Sequence, residues 1–164
     1  MKILSVTVIS LLFFAFVISG CKKDKEAAPG STSYTRTQML TAKPWKMTAM
    51  TVNPGIDMGG GLIITDIYST FFASCDKDNL YKFSANGTYS FEEGATVCTT
   101  GDPQIYETGT WAFLNNETKM VTTPTTGVAD TTTITSISLT TIVSTKTETT
   151  GGTTYTYTQT MTAQ

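Results

Sequence analysis

Histidine is absent from all 164 residues of the chain. That removes the commonest general base and the commonest metal ligand, and with them any Ser-His or Cys-His nucleophile arrangement. Charge is sparse as well: Asp, Glu, Lys and Arg make up 15% of residues, 11 basic against 13 acidic. Such a balance leaves no electrostatic footprint for nucleic acid. No phosphate-cradling glycine motif precedes a helix. Asp57 and Asp66 flank a glycine run, and Asp76 and Asp78 stand beside Cys75. Neither group has the spacing of a calcium loop, so both read as solvated loop carboxylates. No metal or cofactor is implied, and the chain does not read as an enzyme. Cysteine is scarce, with three in all, and the one long apolar run lies at the N-terminus.

That run follows Lys2 and ends in small residues before Cys21. It predicts a signal peptide over residues 1–20, not a membrane span. Ile18-Ser19-Gly20-Cys21 resembles the bacterial lipobox, which implies cleavage after Gly20 and a diacylglycerol on the Cys21 sulfur. Two or three acyl chains, at ~0.8 kcal/mol per buried methylene, hold a protein on a bilayer almost permanently. Residues 21–36, charged and then small and polar, read as a flexible tether. The KKDKE stretch that opens it looks like the charged export tags of some outer-membrane lipoproteins. With Cys21 lipidated, Cys75 and Cys98 remain as a pair in an oxidising compartment, which predicts a disulfide; a metal pair or two free thiols are the alternatives.

The clearest structural signal lies between those two cysteines. Tyr81 and Phe83 alternate with Lys82 and Ser84; Tyr89 and Phe91 alternate with Ser90 and Glu92. Period-two alternation marks two strands with one buried face. A two-residue Asn86-Gly87 turn would put the aromatic sets on opposite sides. A three-residue loop, Ala85-Asn86-Gly87, instead pairs Phe83 with Tyr89 and Tyr81 with Phe91, and Gly87 supplies the left-handed residue such a loop needs.

Elsewhere, residues 37–43 suggest a short helical turn with Thr37 as a cap. Trp45 to Val52 alternates as a first strand, which Asn53-Pro54-Gly55 is expected to break. Residues 66–73 suggest a short helix with Asp66 near its cap. Further strands are expected at 107–114, 117–123, 130–137, 142–149 and 153–162, the last three rich in β-branched threonine. The sum is an all-β domain over 37–164, about eight antiparallel strands in meander order with a short helix between the first two. Such a sheet closes as an up-and-down barrel or folds as a sandwich.

The lipobox, the Trp opening the first strand, the block DIYSTFFASCDKDNLYKFSANGTYSFEEGATVC and the ETGTWAF strand together resemble lipocalin-like domain lipoproteins of bacteroidete-type bacteria. The resemblance spans about Leu40 to Gln164. It implies an eight-stranded calycin-type barrel on a lipid anchor at the outer membrane, facing the periplasm or the surface. The opening Lys43-Pro44-Trp45 departs from the Gly-x-Trp of true lipocalins, so fold and location alone carry over. Trp45, Tyr81, Phe83, Tyr89, Phe91, Trp111 and Phe113 are the candidates to line a cavity for a small apolar molecule or a glycan fragment. The alternative is a barrel that these side chains fill, belonging to a structural or protein-interaction lipoprotein.

Overall fold

A computed structural model describes residues 33–164. The expected leader, the expected lipidation at Cys21 and the expected tether up to residue 32 lie outside the described residues. The first element, α1 (Arg36–Thr41), is capped by Thr35, not by Thr37. The Thr35 hydroxyl accepts from the Gln38 amide while the Gln38 side chain accepts from the Thr35 amide. Only a cap at Thr35 places Gln38 three residues on, where this reciprocal pair can form. The helix delivers Leu40 into the core beside Trp45, whose indole N–H donates to the Leu40 carbonyl at 2.7 Å.

Strand β1 (Trp45–Asp57) does not stop at Asn53-Pro54-Gly55 as its sequence suggests. Proline lacks an N–H for a ladder, yet here none is required. Pairing with the last strand ends at Asn53, and pairing with β2 (Ile63–Asp66) shifts register between Thr51 and Ile56, so Pro54 falls between two ladders. Gly55 lies so close to β2 that a Cβ there would overlap an Ile63 methyl. The Gly59–Gly61 turn folds β2 back onto β1, a pairing not foreseen because Ile63–Asp66 is too short to announce itself. Helix α2 (Ile67–Phe71) follows, with the Asp66 carboxylate accepting from the Ser69 amide as its cap.

The remaining chain is a meander of β3 (Leu80–Phe83), β4 (Thr88–Glu92), β5 (Ile105–Leu114), β6 (Lys119–Pro124), β7 (Asp130–Ile137), β8 (Thr141–Thr150) and β9 (Thr153–Ala163). Every neighbouring pair is antiparallel, and β1 pairs with β9 to close the ring. Eight strands form the barrel; β2 hangs on β1 outside it, so α2 lies between the first two strands of the ring. The β3–β4 hairpin has the expected three-residue loop, with Gly87 at φ 84°. Phe83 pairs with Tyr89 and Tyr81 with Phe91, the latter two stacked at 4.5 Å between ring centroids. Cross-strand aromatic pairs of this kind contribute roughly 0.2–1 kcal/mol each.

Cys75 and Cys98 form a disulfide that clamps the β4–β5 loop to the turn before β3. Two non-covalent ties reinforce the clamp. Asp78 accepts from the Thr96 amide and hydroxyl, and Asn79 accepts from the Gly94 amide. Asp57, Asp66, Asp76 and Asp78 all accept from backbone amides in their own turns, caps or neighbouring loops, but Asp78 is not simply solvated, since its Oδ1 is buried without a partner among the described residues. Replacing both Cys75 and Cys98 with alanine is expected to lower the unfolding free energy by about 3 kcal/mol, the loop-closure entropy of a bridge this long. Urea denaturation measures it, and a loss below about 1 kcal/mol would assign the clamp to Asp78 and Asn79 instead.

Candidate functional site

Closure of the ring gives every second side chain an inward direction. On β5 the inward face reads Glu107, Gly109, Trp111 and Phe113, in register with Phe91 and Tyr89 on one neighbour and Pro124, Thr122 and Met120 on the other. Along each strand this face changes character from one end of the barrel to the other. At the α1 end it is apolar and packed: Trp45, Phe83, Trp111, Ile134, Ile142 and Met161 form one core with Leu40. Both indole N–H groups are satisfied there, Trp45 on Leu40 and Trp111 on the Ser84 carbonyl at 3.0 Å. These tryptophans are structural.

Towards the other end the barrel opens. A cavity of about 260 Å³ has Tyr81, Phe83, Tyr89, Met120 and Met161 at its apolar base. Thr122, Thr132, Ser144 and Gln159 form its walls, and Glu107 and Asp130 bring carboxylates to it. A second cavity of about 380 Å³ shares Asp130, Thr132, Ser144 and Gln159 and adds Met50, Tyr157, Lys146 and Glu148. Lys146 lies 3.0 Å from Asp130 and 2.9 Å from Glu148, and these two carboxylates, Glu148 foremost, hold its ammonium pKa above the ordinary value. The interior is therefore filled at one end and an amphipathic calyx at the other.

The lipocalin-like domain family matches residues 41–144. The chain belongs to that family. Among solved structures it is similar to bovine odorant binding protein in complex with a selenium-containing odorant, at 14% identity over 84% of this chain and 78% of that one, with a TM-score of 0.39. That likeness is too distant to bear on a ligand. No curated protein matches the sequence.

Of the seven aromatic residues singled out in the sequence of this lipocalin-like domain, Tyr81, Phe83 and Tyr89 reach the calyx. Trp45, Trp111 and Phe113 belong to the packed end. Phe91 stacks on Tyr81, lies tilted against Tyr106 and borders a groove of about 540 Å³ with Phe71, Phe72 and Cys98. Asp76 lies with Cys75 and Cys98 in a cluster of metal-ligand type, but the disulfide consumes both sulfurs and leaves no thiolate to offer. The polar lining, Glu107, Asp130, Ser144, Lys146, Glu148 and Gln159, was not anticipated. A signal for part of it exists, because Glu107 shares its period-two phase with Gly109, Trp111 and Phe113.

Gly109 holds the calyx wall in shape. A Cβ there would overlap the Thr123 carbonyl oxygen and lie 2.7 Å from Tyr89 Cε1. The missing side chain lets the Tyr89 ring lie across β5, from where its hydroxyl donates to Glu107 at 2.5 Å. Gly109→Ala is accordingly expected to cost about 1–3 kcal/mol, since backbone must move to relieve the contact. Thermal unfolding would register this, and an unchanged midpoint would mean that β5 and β6 yield without cost.

Burial, assisted by Glu107, raises the Tyr81 phenol to about 12. Burial and the hydrogen bond to Glu107 raise Tyr89 as well. A phenol whose folded pKa is raised stabilises the fold fully below its unfolded value near 10 and loses that contribution as pH rises through the folded one. Stability should thus fall between about pH 10 and 12, and Tyr81→Phe should flatten the fall. Spectrophotometric tyrosinate titration with parallel denaturation checks it; Tyr81 ionising at its ordinary value in the folded chain would contradict the burial.

Proposed function

We propose that this lipocalin-like domain is the globular part of a lipid-anchored envelope lipoprotein, and that its calyx binds a small apolar molecule or a glycan fragment. The observation that carries the binding reading is the open half of the barrel. Its apolar base meets a ring of hydrogen-bonding walls, the composition of small-molecule sites generally. Family membership supports the same reading, since lipocalin-like domains are typically binding proteins and not enzymes. The anchoring half of the proposal rests on the leader and on the lipobox at Cys21, and it places the domain at the outer membrane, facing the periplasm or the surface. Among the described residues no helix is long and apolar enough to cross a membrane.

One observation favours a second reading, in which the protein is a structural or protein-interaction lipoprotein. Leu62, Ile63, Phe71, Val97 and Ile105 are each half exposed or more, and all lie on β2, on α2, at the start of β5 or in the loops beside them. Apolar surface gathered there suits a protein partner.

Native mass spectrometry of the protein extracted from its own host separates the two. A small molecule that co-purifies, leaves on denaturation and is absent from Thr132→Phe, a variant that fills the calyx, supports the binding reading. A clean apo mass for the unaltered protein refutes it and turns the search to protein partners. Cys21→Ala is expected to move the protein from the membrane pellet to the soluble fraction; retention in the pellet would rule out the anchor.

A further inference from the structure

The calyx carries an imbalance of charge that its apolar base does not suggest. Three carboxylates line the two cavities, Glu107, Asp130 and Glu148, against one ammonium, Lys146. Lys146 is already bracketed by two of the three, at 3.0 and 2.9 Å. Its charge is therefore already offset by these two carboxylates. Glu107 has no cation beside it among the described residues; its contact is the Tyr89 hydroxyl, a neutral donor. The other nearby lysines do not make up the difference. Lys46 and Lys119 sit at strand positions of opposite phase to the inward residues, and Lys82 is paired with Glu92 on the outer face.

A second observation points to a ligand in the same place. Ser144 is 3% exposed, and its side chain lines both cavities. A hydroxyl that faces a cavity can donate to or accept from a polar group bound there. Tyr81 and Tyr89 belong to the cavity's base, and aromatic rings tolerate a nearby cation better than an anion.

We infer that the calyx takes an organic cation, an ammonium joined to a small apolar body. The ammonium lies at Glu107, within reach of Asp130, and the body rests on Phe83, Met120 and Met161. A fatty-acid type of ligand is disfavoured, because its carboxylate would meet two carboxylates with no free ammonium to neutralise it. A cavity of about 260 Å³ holds a single ring or a short chain, not a long lipid. This inference rests on the binding reading above and narrows it to one chemical class.

Calorimetric titration of the mature chain carrying Cys21→Ala, with three probes of like shape, tests it: phenethylamine, phenethyl alcohol and phenylacetate. Phenethylamine is expected to bind about tenfold tighter than the alcohol, as a charge-assisted hydrogen bond does over a neutral one, with phenylacetate weakest. Glu107→Gln should erase the advantage of the amine over the alcohol. Lys146→Gln should enlarge that advantage by releasing Asp130 and Glu148. If the alcohol or phenylacetate binds as tightly as the amine, the cation inference falls while the calyx reading stands. If none of the three binds, the cation inference falls, and the calyx reading is judged by the native mass measurement alone. An advantage that survives Glu107→Gln would also overturn the assignment.

Discussion

The pairing of β1 with β9 is the constraint on which the rest of the molecule depends. Along its opposite edge β1 meets β3 through only two residue pairs, Trp45 with Tyr81 and Lys46 with Leu80, before that edge passes to β2. Most of what holds β1 in the ring therefore comes from β9, from Trp45 opposite Ala163 to Asn53 opposite Thr156. Without it the sheet would present two free edges, β9 and much of β1, to any other strand. Trp45 sits where the seam is narrowest, paired to both neighbours at once and fully buried. Its indole is tied to α1 through the Leu40 carbonyl, so the packed end of the barrel and the closing seam are one structure.

The same closure gives the calyx its two chemistries. Inward residues are apolar near α1, where the core is buried, and polar near the opposite end, where solvent shares the cost of holding charge. Asp130 and Lys146 stay partly exposed, so their attraction is modest and their role is to set the sign of the field in the calyx. Glu93 is the exception. It is buried, with the Tyr106 hydroxyl donating to one oxygen and no partner for the other among the described residues. That hydrogen bond contributes first, ahead of burial, to raising the Tyr106 phenol to about 12.

Much of this was legible in the residues. Parity alone required the three-residue loop over Asn86-Gly87, because a two-residue loop would have put Tyr81 and Phe83 opposite the wrong face. Cys75 and Cys98 had only each other once Cys21 was assigned elsewhere, and Asp66 was positioned to cap α2. The errors share one cause. Asn53-Pro54-Gly55 carries every local mark of a break, and only the places where β9 and β2 stop pairing make proline harmless there. Thr35 and Thr37 are equally good caps in isolation, and the choice turned on Gln38. Of the seven aromatic candidates, the four that do not reach the calyx are as inward-facing as the three that do. Depth along the barrel separates Trp45, Trp111 and Phe113 from those three, whereas Phe91, level with Glu107, packs beside the groove of Phe71 and Phe72; neither depth nor that packing is a property of a strand's sequence.

Local chemistry by itself determined most of the barrel strands, the hairpin loop, the bridge and the absence of histidine-dependent catalysis, because alternation, turn geometry and side-chain inventory act within a few residues. Tertiary structure alone decided which end of the barrel is filled, and that Glu107, Asp130, Lys146 and Glu148, carried by β5, β7 and β8, share one calyx. Glu107 is separated from the other three by the whole of β6, and a field inside a barrel exists only once the ring has closed around it.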